Sequence, residues 1–466
     1  MIRDQAIAGA HEHFDSGAFL RDLARRVAVR TESQDPASGP ALHAYLQDEI
    51  GPALAAMGFA FALHDNPEPA FGPFLIAQRH ESDALPTVLI YGHGDVIRGQ
   101  DKSWTRGQGP WLLVQDGERL YGRGTADNKG QHSINFAALA QVLAARGGKL
   151  GFNVKVLVET GEETGSPGLA AFCTAQREAL AADALIASDG PRLRRDRPTV
   201  FLGSRGVANF DLSLKLREGA HHSGNWGGLL RNPGTVLANA IASMVDGNGR
   251  ILVDALRPPP IPASVRAALQ GLQFGGDPGD PEVDPGWGEP GLSPTERVIA
   301  WNTVEVLAYR TGNPDFPVNA IPPSAKATMH MRFVVGTDVS DIAQRVRDHL
   351  RAQGFEGIEV SEPVVMAATR LDPENPWVRF ALDSIARSTG KTPALLPNLG
   401  GSLPNDVFAD ILGLPTVWVP HSYPACSQHA PDEHLLAPVV REALGLMTGL
   451  FWDLGEAAAT LPRRPG

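Results

Sequence analysis

The stretch TVLIYGHGD (87–95) decides the fold class, because an apolar strand pattern runs directly into polar residues that suit a ligand site. NVKVLVET (153–160) and ALIASDG (184–190) repeat this design further along the chain. Each apolar run is short and rich in branched residues, which is typical of a strand buried on both faces. The three stretches therefore predict neighbouring strands of one central sheet.

Helical patterns separate these strands. Residues 132–145 and 167–180 show the apolar spacing of helices, and Ser166 is the predicted N-cap of the second helix. Buried strands that alternate with helices are typical of an α/β fold. We therefore predict a mainly parallel sheet with helices on both of its faces.

The pattern changes after about Ser204. VANFDLSLKL (207–216) and AKATMHMRFVV (325–335) alternate apolar and polar residues, as strands with one solvated face do. Residues 235–245 and 341–353 have helical spacing. Half-exposed strands with two helices predict a smaller α+β domain in this part of the chain.

Near its end the chain returns to the first pattern. NPWVRFALDSIARSTG (375–390) predicts a helix, and LPTVWVP (414–420) predicts a buried strand. We therefore predict one α/β catalytic domain formed by residues 1–203 and 368–466, interrupted by an inserted α+β domain at 204–367.

The composition limits the classes of function. The chain has 466 residues, which favours two domains, and its net charge of -11 argues against binding to nucleic acid or anionic membranes. Cys173 and Cys426 are too few for a disulfide framework and fit a reducing compartment. The first residues lack a signal-peptide pattern, and no apolar run reaches the roughly 18 residues of a membrane span. We expect a cytoplasmic protein.

Residues that bind metals follow the predicted strands. His93 lies between two glycines, and Asp95 is placed to hold its second ring nitrogen. Glu162 and Glu163 follow the second strand, so that one carboxylate could bind a metal while the other serves as a base. Each motif alone has an ordinary explanation, such as a hydrogen-bonded histidine or a solvated loop. Their common place at strand ends favours a ligand site.

The charges of the cluster also favour metals. Asp127, Glu163 and Asp189 carry negative charge, whereas His93 and His429 are neutral ligands. Two zinc ions balance three carboxylates and a hydroxide, and carboxylate and imidazole are good zinc ligands. Without cations, burial of this cluster would be costly.

With these residues the chain resembles the M20 metallopeptidases, which include carnosinase-like dipeptidases, carboxypeptidase G and the succinyl-diaminopimelate and acetylornithine deacylases. The matching motifs occur in the family's order over almost the whole chain. They are GHGDV (92–96), LYGRGTADNKG (120–130), ETGEETGS (159–166), SDG (188–190) and a late histidine, His429.

The resemblance implies a role for each metal ligand. Asp127 would bridge two metal ions, His93 and Asp189 would complete one site, and Glu163 and His429 would complete the other. The implied cofactors are two Zn²⁺ per subunit, with Co²⁺ and Mn²⁺ as the alternatives.

The same resemblance assigns the neighbouring side chains. Glu162 would be the general base that activates a metal-bound water, and Asp95 would support His93. Asn128 stands where many members carry a second acidic residue or a methionine, and we expect little effect, because that side chain is not a ligand.

In this family the inserted domain mediates dimerisation. HHSGNWGG (221–228) looks like the family's His-Ser-Gly segment. The resemblance therefore implies a homodimer in which His222 polarises the scissile carbonyl in the partner's site, with His221 as its neighbour without this role.

Four further residues are implied to contact the substrate. Asn319 and Arg332 lie in segments that resemble the family's Asn-x-Ile-Pro stretch and its arginine-bearing strand, and a guanidinium suits a substrate carboxylate. Gly401 and Ser402 lie in GGSLP, which looks like a substrate loop. By itself, Arg332 would be interpreted as a surface strand residue.

The function implied is hydrolysis of dipeptides or short peptides. Asp189 favours this interpretation, because in the family Asp at this position tends to accompany dipeptidases and Glu tends to accompany deacylases and carboxypeptidases. The alternative is an N-acyl amino acid deacylase or a carboxypeptidase on the same scaffold. A binding protein without activity is disfavoured, because all the ligand positions hold competent residues. The Pro/Gly-rich stretch 257–294 predicts loops and matches no motif.

Overall fold

The computed structural model describes residues 3–276, 278 and 280–464. Positions 277 and 279 of the Pro/Gly-rich stretch lie outside the described residues, as do the two residues at each terminus. The strands are β1 (Ala60–His64), β2 (Phe74–Arg79), β3 (Thr87–His93), β4 (Val114–Asp116), β5 (Arg119–Tyr121), β6 (Asn153–Glu159), β7 (Ala184–Ala187), β8 (Thr199–Phe201), β9 (Gly206–Lys215), β10 (His221–His222), β11 (Thr303–Thr311), β12 (Ala320–Ile321), β13 (Ser324–Phe333), β14 (Glu359–Val360), β15 (Val364–Met366), β16 (Ala394–Leu396), β17 (Thr416–Trp418) and β18 (His434–Leu436). The helices are α1 (Arg3–Asp15), α2 (Ala18–Ala28), α3 (Gly39–Ala44), α4 (Gly51–Ala55), α5 (Lys129–Ala145), α6 (Leu169–Ala175), α7 (Ser223–Trp226), α8 (Pro233–Met244), α9 (Ala263–Leu269), α10 (Pro294–Ile299), α11 (Ile342–Ala352), α12 (Pro376–Thr389) and α13 (Ala437–Ala457).

An eight-stranded sheet has the order β1-β2-β6-β3-β7-β17-β8-β16. The central pairs β6–β3, β3–β7 and β7–β17 are parallel, whereas β1 and β2 join the sheet in antiparallel pairs. Parallel strands point their carboxyl ends towards one edge of the sheet, which is where α/β proteins bind ligands. The predicted α/β class with a mainly parallel sheet is confirmed.

Helices cover both faces of this sheet, as the apolar residues of β3 show. Val88 and Ile90 pack in a core with residues of α1, α5 and α13, whereas Leu89 and Tyr91 pack on the opposite face with residues of α6. Successive side chains of a strand point to opposite faces, so a strand buried on both sides needs an unbroken apolar run.

A second sheet has the order β11-β13-β9-β14, and β15 also pairs with β9. One face of this sheet packs on α8 and α11, so alternate residues of β13 such as Met329 and Met331 are buried. His330 and Arg332 therefore project from the other face. The chain enters this part at Ser204 and leaves it at Thr369, whose backbone N–H donates to the Ser204 carbonyl at 3.0 Å.

Two local predictions need correction. Ser166 does not cap α6, which begins at Leu169 after Gly168; the Ser166 hydroxyl instead donates to Glu159 Oε1 at 3.0 Å. The stretch 257–294 includes helix α9 in addition to its loops, and α10 begins at the last of these residues. No helix in the described ranges is long and apolar enough to cross a membrane.

Candidate metal centre

The carboxyl ends of three parallel strands bring the first candidate ligands together. His93 is the last residue of β3, Asp189 follows β7, and Glu163 lies in a short 3-10 turn directly after β6. Asp127 comes from the glycine-rich loop before α5, and His429 comes from the loop after β17. The geometry thus gathers all five predicted ligands at one edge of the sheet.

The five side chains form two groups that share Asp127. His93 Nε2 lies 2.9 Å from Asp127 Oδ1 and 3.5 Å from Asp189 Oδ2. His429 Nε2 lies 3.0 Å from both Asp127 Oδ2 and Glu163 Oε2. Each group supplies one imidazole and two carboxylates at separations that could hold a metal ion. The buried Asp189 Oδ2 has no hydrogen-bond partner among the described residues, which leaves a lone pair for a cation.

The pKa values of the clustered carboxylates also indicate a site that suits bound cations. Burial and the charge of Asp127 raise the pKa values of Glu163 and Asp189 to about 7. Burial opposes ionisation of Asp127 as well, but hydrogen bonds from His429 and His93 hold its pKa below the usual range. Carboxylates in such a cluster need a positive partner, and divalent metal ions supply it.

Asp95 connects the first histidine with the base candidate. Its carboxylate accepts hydrogen bonds from the backbone N–H groups of Glu162 and Glu163 at 3.2 and 3.1 Å. Its Oδ1 lies 3.4 Å from His93 Nδ1, and its backbone carbonyl lies 3.1 Å from the same nitrogen. Asp95 therefore fixes both the His93 ring and the turn that carries the two glutamates.

Glu162 is half-buried beside the two groups and lines the cavity next to them. Burial, together with the charges of Asp189, Glu163 and Asp127, raises its pKa well above the ordinary value, although His93 opposes this shift. No hydrogen bond from the described part of the chain holds its carboxylate. A carboxylate with a raised pKa and free lone pairs is suited to accept a proton.

Sequence reasoning missed Glu433, which ties two ligand loops together. Its buried carboxylate accepts hydrogen bonds from the backbone N–H groups of Gly124, Ala126 and Asp127 at 2.8–3.1 Å. Arg123 Nη1 donates to the same carboxylate at 2.8 Å. Since Glu433 lies four residues after His429, it links the loop of Asp127 to the loop of His429. The only signal in the sequence was an acidic residue in the late histidine's loop.

A cavity of about 790 Å³ joins the metal cluster to the predicted substrate residues. Arg332, Gly401 and Ser402 line it together with Asp127, Glu162 and His429. Arg332 Nη1 donates to Ser402 Oγ at 2.5 Å, and this hydroxyl donates to the Arg205 carbonyl at 2.6 Å. The guanidinium is therefore oriented by the loop that also lines the cavity.

His222 and Asn319 lie elsewhere. His222 belongs to a small two-stranded sheet, in which it pairs with Ala320. Asn319 directly precedes the second strand of this sheet, and its carbonyl accepts a hydrogen bond from the Ser223 N–H at 2.9 Å. Both side chains are exposed, and neither lines the cavity. Within one chain the structure does not bring these two residues to the metal cluster.

The amino-acid sequence was compared with protein families and characterised proteins. The model of peptidase family M20/M25/M40 matches residues 89–453. Cysteinylglycine-S-conjugate dipeptidase of Corynebacterium striatum is 29% identical over 333 residues, which cover 68% of this chain and 70% of that protein. Beta-Ala-His dipeptidase of Mus musculus is 33% identical over 187 residues, which cover 40% of this chain and 37% of that protein.

Two solved structures share the whole fold. Human carnosine dipeptidase 1 superposes with a TM-score of 0.80 at 21% identity, and the match covers 98% of this chain and 99% of that one. The di-peptidase Dug1p from Saccharomyces cerevisiae gives 0.79 at 20% identity, with 97% and 98% coverage. At these identities the structures establish a common architecture.

Proposed function

This chain belongs to peptidase family M20/M25/M40, and on that basis we propose that it is a two-zinc dipeptidase that hydrolyses the peptide bond of dipeptides or short peptides. The observation that carries the proposal is the pair of imidazole–carboxylate groups that share Asp127. Asp127 would bridge the ions, His93 and Asp189 would complete one site, and Glu163 and His429 would complete the other. Relatives named as a cysteinylglycine-S-conjugate dipeptidase and a Cys-Gly metallodipeptidase support this substrate class.

The proposed catalytic role of Glu162 follows from its position beside both groups. The chemistry that bound zinc supplies in such sites is polarisation of a carbonyl and a lowered pKa for water. The Glu162 carboxylate would take a proton from the attacking water as the new carbon–oxygen bond forms. It would then return that proton to the leaving amine as the carbon–nitrogen bond breaks. Asp95 would keep Glu162 in place through the backbone N–H that it accepts from.

Substrate orientation would depend on the far wall of the cavity. Arg332 would hold the carboxylate of the substrate, because a guanidinium can pair both of its oxygens. Ser402 supports this role by accepting a hydrogen bond from Arg332, and Gly401 lines the same wall. Asn319 would reach a substrate only in the partner's cavity, since it is exposed and remote in its own chain.

The proposed homodimer is supported by exposed apolar side chains around His222. Trp226 and Leu229 are 46% and 75% exposed, and Phe316 and Val318 are 78% and 76% exposed. Exposed clusters of large apolar residues are typical of interaction surfaces. Association through this surface would allow His222 to stabilise the developing oxyanion in the partner's site.

We also propose a cytoplasmic location. Cys173 and Cys426 are both unpaired and buried, as is common for thiols of proteins in reducing compartments. The acidic net charge of -11 agrees with a small-molecule substrate rather than a nucleic acid.

The test is a substrate panel with zinc-, cobalt- and manganese-loaded protein. It contains dipeptides, N-acetyl and N-succinyl amino acids, and longer peptides with free C-termini. We expect dipeptides to give the highest kcat/KM. A clear preference for the acyl compounds would replace the dipeptidase with the deacylase, and preferred release of C-terminal residues from longer peptides would indicate a carboxypeptidase.

A further inference from the structure

A second chamber opens beside the metal cavity. It has a volume of about 490 Å³ and is formed largely by the Pro/Gly-rich stretch 257–294 and the segments next to it. The two spaces share four wall residues: Phe274, Val298, His330 and Arg332. A group bound at Arg332 could therefore extend either towards the metal cluster or into the chamber.

Three aromatic side chains contribute to the chamber wall. Trp287 and Trp301 line it together with Phe274. The Trp287 side chain is 49% exposed although it is large and apolar. An indole that remains open to a concave space is a favourable contact for another apolar group.

Trp287 is held in place by its surroundings and is not a loose surface residue. A Cβ atom at Gly249 would lie 2.7 Å from the Trp287 ring, so the indole packs directly on the glycine backbone. The neighbouring Gly288 N–H donates to the Asn248 carbonyl at 2.6 Å, and Arg297 Nη1 donates to the Trp287 carbonyl. Glu289 adds an ion pair with Arg257 at 2.6 Å. The wall is therefore built before any ligand arrives.

The position of Arg332 indicates which part of a substrate would enter. If Arg332 holds the C-terminal carboxylate, the side chain of that residue begins next to the chamber's shared wall. We propose that the chamber binds a bulky aromatic side chain of the substrate's C-terminal residue, and that Trp287 determines this specificity. The inference rests on the proposed function, because it uses the same carboxylate grip.

The test compares substrates that differ only in their C-terminal residue. Ala-Gly, Ala-Phe and Ala-Trp are hydrolysed by the zinc-loaded wild type and the variant Trp287→Ala. We expect the variant to lose about tenfold in kcat/KM for Ala-Phe and Ala-Trp, with Ala-Gly changed by less than about twofold. The matched control is Phe71→Ala, which removes a 37% exposed aromatic ring that lies outside the chamber. An equal loss for all three dipeptides would overturn the proposal.

Binding of the free products separates this inference from the proposed activity. Calorimetry with L-phenylalanine and glycine needs no hydrolysis. We expect wild type to bind L-phenylalanine more tightly than glycine, and Trp287→Ala to lose that difference. If the protein gave this result but cleaved no dipeptide, the proposed dipeptidase activity would be refuted, whereas the proposed role of the chamber would stand. Equal binding of both amino acids to wild type would refute the proposal that the chamber binds an aromatic side chain.

Discussion

At this site some carboxylates are candidate metal ligands, whereas others hold the loops that carry those ligands. Asp127 presents one oxygen to His93 and the other to His429, so its orientation fixes the relation between the two groups. Asp95 and Glu433 touch no candidate substrate position, yet their carboxylates accept the backbone N–H groups of ligand-bearing loops. These hydrogen bonds hold the loops that carry the candidate ligands.

Replacement of Glu162 by Ala removes the proposed base while the five candidate ligands remain. We expect kcat to fall by about 10²–10⁴-fold, because general base catalysis typically contributes this much. Metal analysis should still find two zinc ions per subunit. Near-normal turnover by this variant would rule out Glu162 as the base.

The variant Glu433→Gln keeps the shape of the side chain and removes its charge. We expect zinc affinity to fall by about 10–100-fold, since the variant loses the charged acceptor for the Asp127 loop. Calorimetric titration of the metal-free protein measures this directly. The control is Asp453→Asn, which breaks a partly buried ion pair with Arg3 that does not line the cavity. Both variants should unfold at lower temperature, and equal zinc affinities in the two would contradict the positioning role.

At the level of secondary structure elements, the segment of β10 and α7 stands apart from the cavity. Its strand has only two residues, His222 is exposed, and the large apolar side chains of Trp226 and Leu229 nearby in the chain are exposed as well. The edge strand β11 lies in the same part of the protein and exposes Leu307 at 60%. An edge strand with exposed apolar residues is a surface that proteins usually cover.

A mixing experiment tests whether this segment completes the partner's site. Glu162→Ala and His222→Ala subunits are each expected to form inactive homodimers. In a mixed dimer, the site with Glu162 receives His222 from the other subunit and should work. Random exchange of equal amounts should restore about a quarter of the wild-type activity. Failure to recover any activity, when mixed dimers are shown to form, would contradict the shared site.

For the whole molecule, the carboxylate cluster links stability to pH and metal. In the chelated protein the pKa values of Glu163 and Asp189 are about 7, above the values of about 4.3 and 3.9 for unfolded chains. Between about pH 4 and pH 7 the folded state therefore binds more protons than the unfolded state. Its free energy of unfolding falls as pH rises across this interval. Zinc replaces these protons, so the loaded protein should not show this loss.

We expect the difference in urea midpoint between zinc-loaded and chelated protein to widen from pH 5 to pH 8. The buried histidines His132 and His421, which have lowered pKa values, are common to both forms and cancel in this difference. A difference that narrowed as pH rose would contradict the assignment of the cluster.

Much of the fold could be predicted because its signals are local. The apolar runs of β3, β6 and β7 identify buried strands, and the residues directly after them become the candidate ligands. The helices α5, α8 and α12 follow their apolar spacing closely. Where buried side chains recur with the period of a helix or a strand, the apolar pattern of the sequence predicts the element correctly.

The features that the sequence did not predict depend on contacts between residues far apart in the chain. The sequence favours Ser166 as the N-cap of α6, but the Ser166 hydroxyl donates to the buried carboxylate of Glu159 instead. Glu433 acquires its role only when the loop after β17 meets the loop before α5. The wall at Trp287 likewise requires Gly249, which lies well before it in the chain. The pattern of neighbouring residues contains no signal for such pairings.

The two places where the chain passes between its sheets lie side by side. Ser204 and Thr369 are joined by a backbone hydrogen bond, and a Cβ at Gly203 would come within 2.2 Å of the Thr369 carbonyl oxygen. A long excursion that begins and ends at one point can be gained, lost or exchanged in a single genetic event without reordering the strands of the larger sheet. In evolutionary terms, we expect the segment between these two points to be exchangeable, so that the wall that carries Arg332 could change while the candidate metal ligands are inherited unchanged.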